Sequence, residues 1–162
     1  MADIRHSSGF TLGEALDAAD VEACRELFTE YQQALGVSLC FQDFERELAT
    51  LPGAYARPRG RLLIARVAAM PAACAALRPL GERDGEMKRL YVRPQFRGMG
   101  LGRALAEIVI DEARALGYAS VKLDTLPQMA EAQSLYAALG FRDVAPYNEN
   151  PIAGTRFLAL AL

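Results

Sequence analysis

At 162 residues the chain has the length of one domain, able to bury roughly 70% of the surface its unfolded form exposes. Hydrophobic residues make up 52% and charged residues 23%, the balance of a soluble globular protein, and a net charge of −2 argues against a general nucleic-acid binder. No apolar run reaches the ~18–20 residues that span a membrane, so no membrane partner is expected.

The N-terminal MADIRHSSGF has no apolar signal core. Cys24, Cys40 and Cys74 are odd in number and contain no C-x-x-C pair, which opposes a disulfide framework or a zinc site. A reducing cytoplasm is the expected setting. Cys24 falls on an apolar helical stripe and reads as a small core residue. His6 is the only histidine, so no Ser/His/Asp, Cys/His or multi-histidine site can be built, and no metal is expected.

In chain order, residues 3–13 leave room for a short edge strand. Asp17 is an N-cap candidate with Asp20 in the first turn. The helix behind it runs to Leu35, with Cys24, Leu27, Phe28 and Tyr31 at helical spacing and Gly36 as its stop. A second helix is expected over Gln42–Thr50, closed by Leu51-Pro52-Gly53. Ala54–Gly60 reads as an exposed loop. Leu62–Ala69 and Ala72–Leu80 read as two strands about a turn at Met70-Pro71. Gly81–Gly85 is a polar turn, and a central strand begins near Glu86.

That strand opens the most informative stretch. Met87–Val92 is followed by Pro94, by the alternating glycines Gly98, Gly100 and Gly102, and then by an amphipathic helix. Leu101, Leu105, Ile108, Val109 and Leu116 share one side of it; Arg103, Glu107, Asp111 and Arg114 line the other. A glycine turn at a helix N-terminus offers unpaired N–H groups and the positive end of the helix dipole, and it lacks the Cβ atoms that keep a bulky anion away. With Arg97 and Arg103 beside it, the turn suits phosphate or pyrophosphate.

After this helix, Ser120–Asp124 alternates as a strand. Pro127 can open another helix running to about Leu139, with Gly140 as its stop. Phe141–Ala145 is a brief strand, Tyr147–Gly154 a loop, and Arg156–Leu162 a final apolar strand. The succession predicts one mixed α/β domain over residues 1–162, a central sheet flanked by helices.

Two nucleotide-binding patterns are absent: there is no G-x-x-x-x-G-K-[ST], and the alternating glycines do not form G-x-G-x-x-G. Gln95-Phe96-Arg97-Gly98-Met99-Gly100, extended by Leu101-Gly102, resembles instead the acetyl-CoA-binding motif Q/R-x-x-G-x-G/A of the GNAT acetyltransferase superfamily. Leu90-Tyr91-Val92-Arg93-Pro94 is similar to that family's fourth strand and its exit. A second stretch, Ala132-Gln-Ser-Leu135-Tyr136-Ala-Ala-Leu139-Gly140-Phe141, resembles the A-x-x-L-Y-x-x-x-G-F signature that follows. The two signatures cover roughly Glu86–Phe141. Met129 departs from the family pattern, where many relatives carry an Asn that contacts CoA or an ordered water.

The resemblance implies a GNAT-like domain with a mostly antiparallel mixed sheet, and an acyltransferase that moves an acetyl group from acetyl-CoA to an amine. It implies that backbone groups of Leu90 and Val92, flanking Tyr91, pair with the pantetheine arm. A strand bulge there would turn an N–H toward the thioester carbonyl. Amides from Arg97 through Gly98, Met99, Gly100, Leu101 and Gly102 to Arg103 would hold the pyrophosphate, with Gln95 opening the motif. Tyr136 would protonate the departing thiolate; on its packing alone it reads as a large core residue with its hydroxyl satisfied. Glu86 is the candidate general base, directly or through water, or else a strand-end charge, with Tyr91 the weaker alternative.

The acceptor is expected to be a small-molecule amine or an amino-acid-like compound. Tyr31, Phe41–Phe44, Arg78 and Tyr147–Thr155 are the candidates for its pocket. A protein or peptide amine, or a CoA-binding domain without turnover, are the alternative readings. A homodimer is among the assemblies the reading allows.

Overall fold

The computed structural model describes residues 5–7 and 9–162, and of these it describes the side chains of all but Arg5–Ser7 and Phe41. His6 as a side chain, and the first residues of the expected edge strand, lie outside that part.

Among the described residues, eight strands form one sheet in the order β1-β2-β3-β4-β5-β6-β8-β7. Where one edge strand was expected, the chain makes a hairpin, β1 (Arg5–Ser7) and β2 (Phe10–Glu14). β3 (Arg61–Val67), β4 (Met70–Leu80) and β5 (Asp84–Val92) continue antiparallel. β6 (Ser120–Thr125) joins β5 in the parallel sense, and β8 (Arg156–Ala161) then pairs antiparallel with both β6 and the short β7 (Arg142–Asp143). The sheet is therefore mixed and mostly antiparallel, as expected.

The α-helices of the described residues cover it: α1 (Ala18–Leu35), α2 (Phe44–Thr50), α3 (Leu101–Ala115) and α4 (Ala130–Ala138). The α1 boundaries follow the sequence signals. Asp17 accepts a 2.8 Å hydrogen bond from the N–H of Asp20, and Gly36 takes the left-handed conformation at φ 66°. Among the described residues, no helix is long and apolar enough to cross a membrane.

Both faces of the central strands are buried, which explains their nearly continuous apolar runs. Leu63, Ala65, Ala73, Ala75 and Leu77 pack against α3, whose Leu101, Leu105, Ala106 and Val109 are also buried. Leu62, Ile64, Cys74 and Ala76 pack on the opposite face with Cys24, Leu27 and Phe28 of α1. Cys24 is a core residue, as its stripe indicated.

Three local expectations change. The β3–β4 turn lies at Ala68-Ala69, with φ of 48° and 66°, one step before Met70-Pro71. Positive φ at both central positions matches the twist of a tight hairpin, and here alanines adopt it. Ala54–Gly60 is not simply an exposed loop: Tyr55 is 2% exposed and packs edge-on against Phe28 with ring centroids 6.0 Å apart. Gly60 closes that segment, because a Cβ there would meet the Tyr55 backbone at 2.5 Å. Finally, α4 starts at Ala130, so Pro127 sits in the preceding turn.

Candidate active site

The site begins where β5 and β6 part. Their parallel ladder has only the rungs Asp84↔Ser120, Gly85↔Val121 and Glu86↔Lys122, although β5 continues to Val92 and β6 to Thr125. Past Glu86, the β5 edge facing β6 carries no strand partner, so its N–H and C=O groups can pair with a ligand.

A bulge lies on the same segment. Between the pairs Ala76↔Lys88 and Cys74↔Tyr91, β4 has one residue, Ala75, and β5 has two, Arg89 and Leu90. Arg89 adopts φ 59° to make it. This strain is held by its side chain, which is 2% exposed, donates to Glu47 at 2.8 and 3.0 Å, and lies over the Phe44 ring at 4.9 Å.

A cleft of about 640 Å³ opens along this edge. Leu90, Tyr91 and Val92 of β5 line it, together with Arg97, Gly98, Gly100, Leu101 and Gly102. The structure thus brings most of the sequence-derived cofactor residues to one surface. Gln95 and Met99 are exposed beside it, and Arg103 is paired with Glu107 at 2.9 Å on the outer face of α3. Leu35 of α1 and Met129, Ala132 and Leu135 at α4 also line it; Ala132 and Leu135 belong to the second signature, Met129 is the departure from the pattern, and Leu35 carried no signal as a site residue.

The glycines differ in what they do. Gly98 and Gly100 sit at φ 82° and 83°, with nothing within 4 Å of where a Cβ would stand. They need glycine for the backbone conformation and leave open space above the turn. Gly102 has ordinary φ, and a Cβ there would make only normal contacts, 3.7 Å to Val92. Gly100 caps α3 without any side-chain hydrogen bond, so the first-turn N–H groups remain available to an anion. An unpaired strand edge, a bulge and an open glycine cradle together fit a long ligand with a phosphate end.

At the inner end, a chamber of about 30 Å³ adjoins the cleft, and Tyr31, Leu35, Leu90 and Met129 line both. Tyr136 is 5% exposed, lines the chamber and packs against Phe141 at 5.7 Å between ring centroids. Burial pushes its pKa up, with Tyr31 and Asp124 adding to the effect, so its hydroxyl stays protonated at neutral pH. Tyr31 is raised to about 12, mainly by burial, against the opposing pull of Arg89.

Glu86 is 1% exposed and lines neither cavity. Arg78 donates to one carboxylate oxygen at 2.8 Å, and the Tyr147 hydroxyl donates to the other at 2.7 Å. Two residues expected at the acceptor pocket are therefore brought together on Glu86 instead. Tyr91 lies 3.5 Å from Glu30 through its hydroxyl. Phe44 is buried under Arg89, and the side chain of Phe41 is outside the described part. Lys88 and Asp124 line the chamber and carried no signal in the sequence, because only the splay of two distant strands brings them together; Tyr31, Gln42 and Asn150, also on its wall, fall within the stretches expected at the acceptor pocket.

The fold itself recurs in a Streptococcus agalactiae acetyltransferase, 20% identical at a TM-score of 0.80, covering 96% of this chain and all of that one. It recurs in a putative acetyltransferase of Salmonella typhimurium described with its cofactor acetyl-CoA, 23% identical at a TM-score of 0.66 and covering 94% of each chain. In sequence, an uncharacterized N-acetyltransferase of Schizosaccharomyces pombe is 39% identical over 145 residues, 88% of this chain and 89% of the relative. The acetyltransferase (GNAT) family model matches residues 21–141. The chain belongs to the GNAT family and is an acyltransferase of the N-acetyltransferase kind.

Proposed function

We propose that this enzyme transfers an acetyl group from acetyl-CoA directly to a primary amine of a small or amino-acid-like acceptor. The observation that carries the reading is the unpaired β5 edge, Met87–Val92, with its bulge at Arg89-Leu90, running into an uncapped helix start at Gly100. When bound, acetyl-CoA supplies the acetyl group as an activated thioester. The chain contributes backbone hydrogen-bonding groups at Leu90 and Val92, and anion-binding amides from Gly98 to Arg103.

Transfer to an amine releases one proton at nitrogen and takes up one at sulfur. Tyr136 is proposed to hold the second of these, since it lines the chamber and its hydroxyl makes no hydrogen bond among the described residues. For Glu86 the proposal keeps the base role, exercised through water, because its carboxylate is screened from the chamber by Lys88 and Tyr147. Loss of the acidic limb of the pH–rate profile in Glu86→Gln would support that role; an unchanged limb would remove it. A reducing compartment suits Cys24, Cys40 and Cys74, all free thiols.

The direct test is acetyl-CoA-dependent thiol release against a panel of amines, amino acids, polyamines and peptides. Release that requires an amine supports the reading. Binding of acetyl-CoA with no release under any acceptor would return the chain to a CoA-binding domain without turnover.

A further inference from the structure

The inner chamber has both signs of charge on its walls. Lys88 comes from β5 and Asp124 from β6. The last rung between those strands is Glu86↔Lys122, and Lys88 and Asp124 stand two residues further along on the same face. They oppose each other across the gap where the ladder has opened.

Neither group is committed. Lys88 is 6% exposed, and the nearest carboxylate, Glu86, is 3.9 Å from its Nζ, beyond hydrogen-bond reach. That carboxylate is already taken by Arg78 and Tyr147. Burial lowers the Lys88 pKa below its ordinary value, against the pull of Glu86. Asp124 accepts one hydrogen bond, 3.2 Å from the Asn148 side chain. Arg89, the other cation on the wall, is bound to Glu47.

Two amide atoms complete the set. Gln42 Oε1, an acceptor, and Asn150 Nδ2, a donor, are buried without partners, and both residues line the chamber. Buried polar atoms ordinarily have partners, so one orphan of each kind, beside one charge of each sign with hydrogen-bonding capacity to spare, asks for a ligand with the complementary set.

We infer that the acceptor is an amine that also carries a carboxylate, an amino acid or close analogue, whose charged head enters this chamber. Lys88 Nζ and Asn150 Nδ2 donate to the carboxylate; Asp124 and Gln42 Oε1 accept from the ammonium group until it gives up its proton, through water, to Glu86. The space of about 30 Å³ admits only a compact head, and the rest of the acceptor lies toward the mouth at Tyr31 and Met129. The inference rests on the acetyl-transfer reading and adds a substrate class to it.

The test offers each common L-amino acid, its carboxamide and its decarboxylated amine to the enzyme with acetyl-CoA, and reads thiol release. Calorimetry of the same compounds with CoA-saturated enzyme reads binding apart from turnover. The expected result is one or more amino acids favoured in kcat/KM by roughly 100-fold over their carboxamide and amine partners, as for loss of one partner of a desolvated charge pair. Lys88→Met closes that gap and abolishes calorimetric binding, and Asp124→Asn weakens it. Should Lys88→Met fail to fold, Asn150→Asp puts a like charge against the carboxylate and closes the same gap. Equal or better turnover of carboxamides or simple amines overturns the inference and leaves acetyl transfer standing. Turnover of no compound, with acetyl-CoA bound, overturns both.

Discussion

Gly98→Glu and Gly117→Glu separate the two things a glycine can do in this fold. Gly98 has φ 82° and Gly117 φ 80°, and neither has any atom within 4 Å of a new Cβ. Both substitutions therefore carry the same backbone cost, about 1–2 kcal/mol for an L-residue in the left-handed region, and no clash. For a domain of this length that lowers Tm by roughly 2–8 °C in each variant. They differ in place: Gly98 lines the cleft, whereas Gly117 ends α3 at its far end. Acetyl-CoA at 100 times its Kd should stabilise the parent by about 2.7 kcal/mol, a Tm rise of roughly 5–11 °C. Gly117→Glu should keep that rise, and Gly98→Glu should lose it, because a carboxylate now occupies the anion cradle. Differential scanning fluorimetry with and without acetyl-CoA reads both numbers. A full ligand shift in folded Gly98→Glu, or its equal loss in Gly117→Glu, would refute the cradle.

Tyr136→Phe keeps the ring on Phe141 and removes only the hydroxyl; kcat should fall about 10²–10⁴-fold with acetyl-CoA affinity unchanged, and near-parental turnover with chemistry rate-limiting would make the residue purely structural. Glu47→Ala leaves the Arg89 guanidinium buried and unpaired, so chemical denaturation should show a loss of about 3–5 kcal/mol, and adding Arg89→Met should recover part of it. Asp84 carries a pH dependence. Burial alone would raise its pKa, but hydrogen bonds from Ser120 and Lys122 outweigh burial and hold it below the ordinary 3.8. Its stabilising contribution is therefore complete above about pH 4 and is lost as pH falls through the depressed value. Asp84→Asn should flatten that part of the acid-unfolding curve, and an unchanged curve would show that the first β5–β6 rung does not depend on the charge.

What the sequence made legible is local. Asp17 and Gly36 bracket α1 because a cap and a left-handed stop act within a few residues of themselves. The glycine turn was readable for the same reason, down to the residues that line the cleft. The misplaced β3–β4 turn has the opposite cause: Ala68 and Ala69 have none of the side-chain chemistry that marks positive φ, so only the pairing of the strands reveals it. Tyr55 and the contact of Arg78 with Glu86 escaped for a third reason. Flanking Pro and Arg residues made the first look solvated, and the second is defined by a partner on the next strand, Glu86, at a register no local pattern states.

Lys88 and Asp124 on the chamber wall belong to this last kind, and their physics explains why they lie where they do. A sheet whose strands stay paired has no use for Lys88 beside Asp124: desolvating both would cost more than a well-packed apolar pair. Here the neighbouring charges are neutralised outside the chamber, Arg89 by Glu47 and Glu86 by Arg78, while the ladder stops two rungs short of the remaining two. The bulge at Arg89-Leu90 keeps Arg89 on the α2 side with Glu47 while Leu90 turns to the opposite cluster. One interruption of the strand thus frees a backbone edge along the cleft and brings charged groups to the chamber wall. Restoring apolar residues at Lys88 and Asp124 should make the fold more stable and the enzyme worse, because the features that weaken the sheet are the ones that bind.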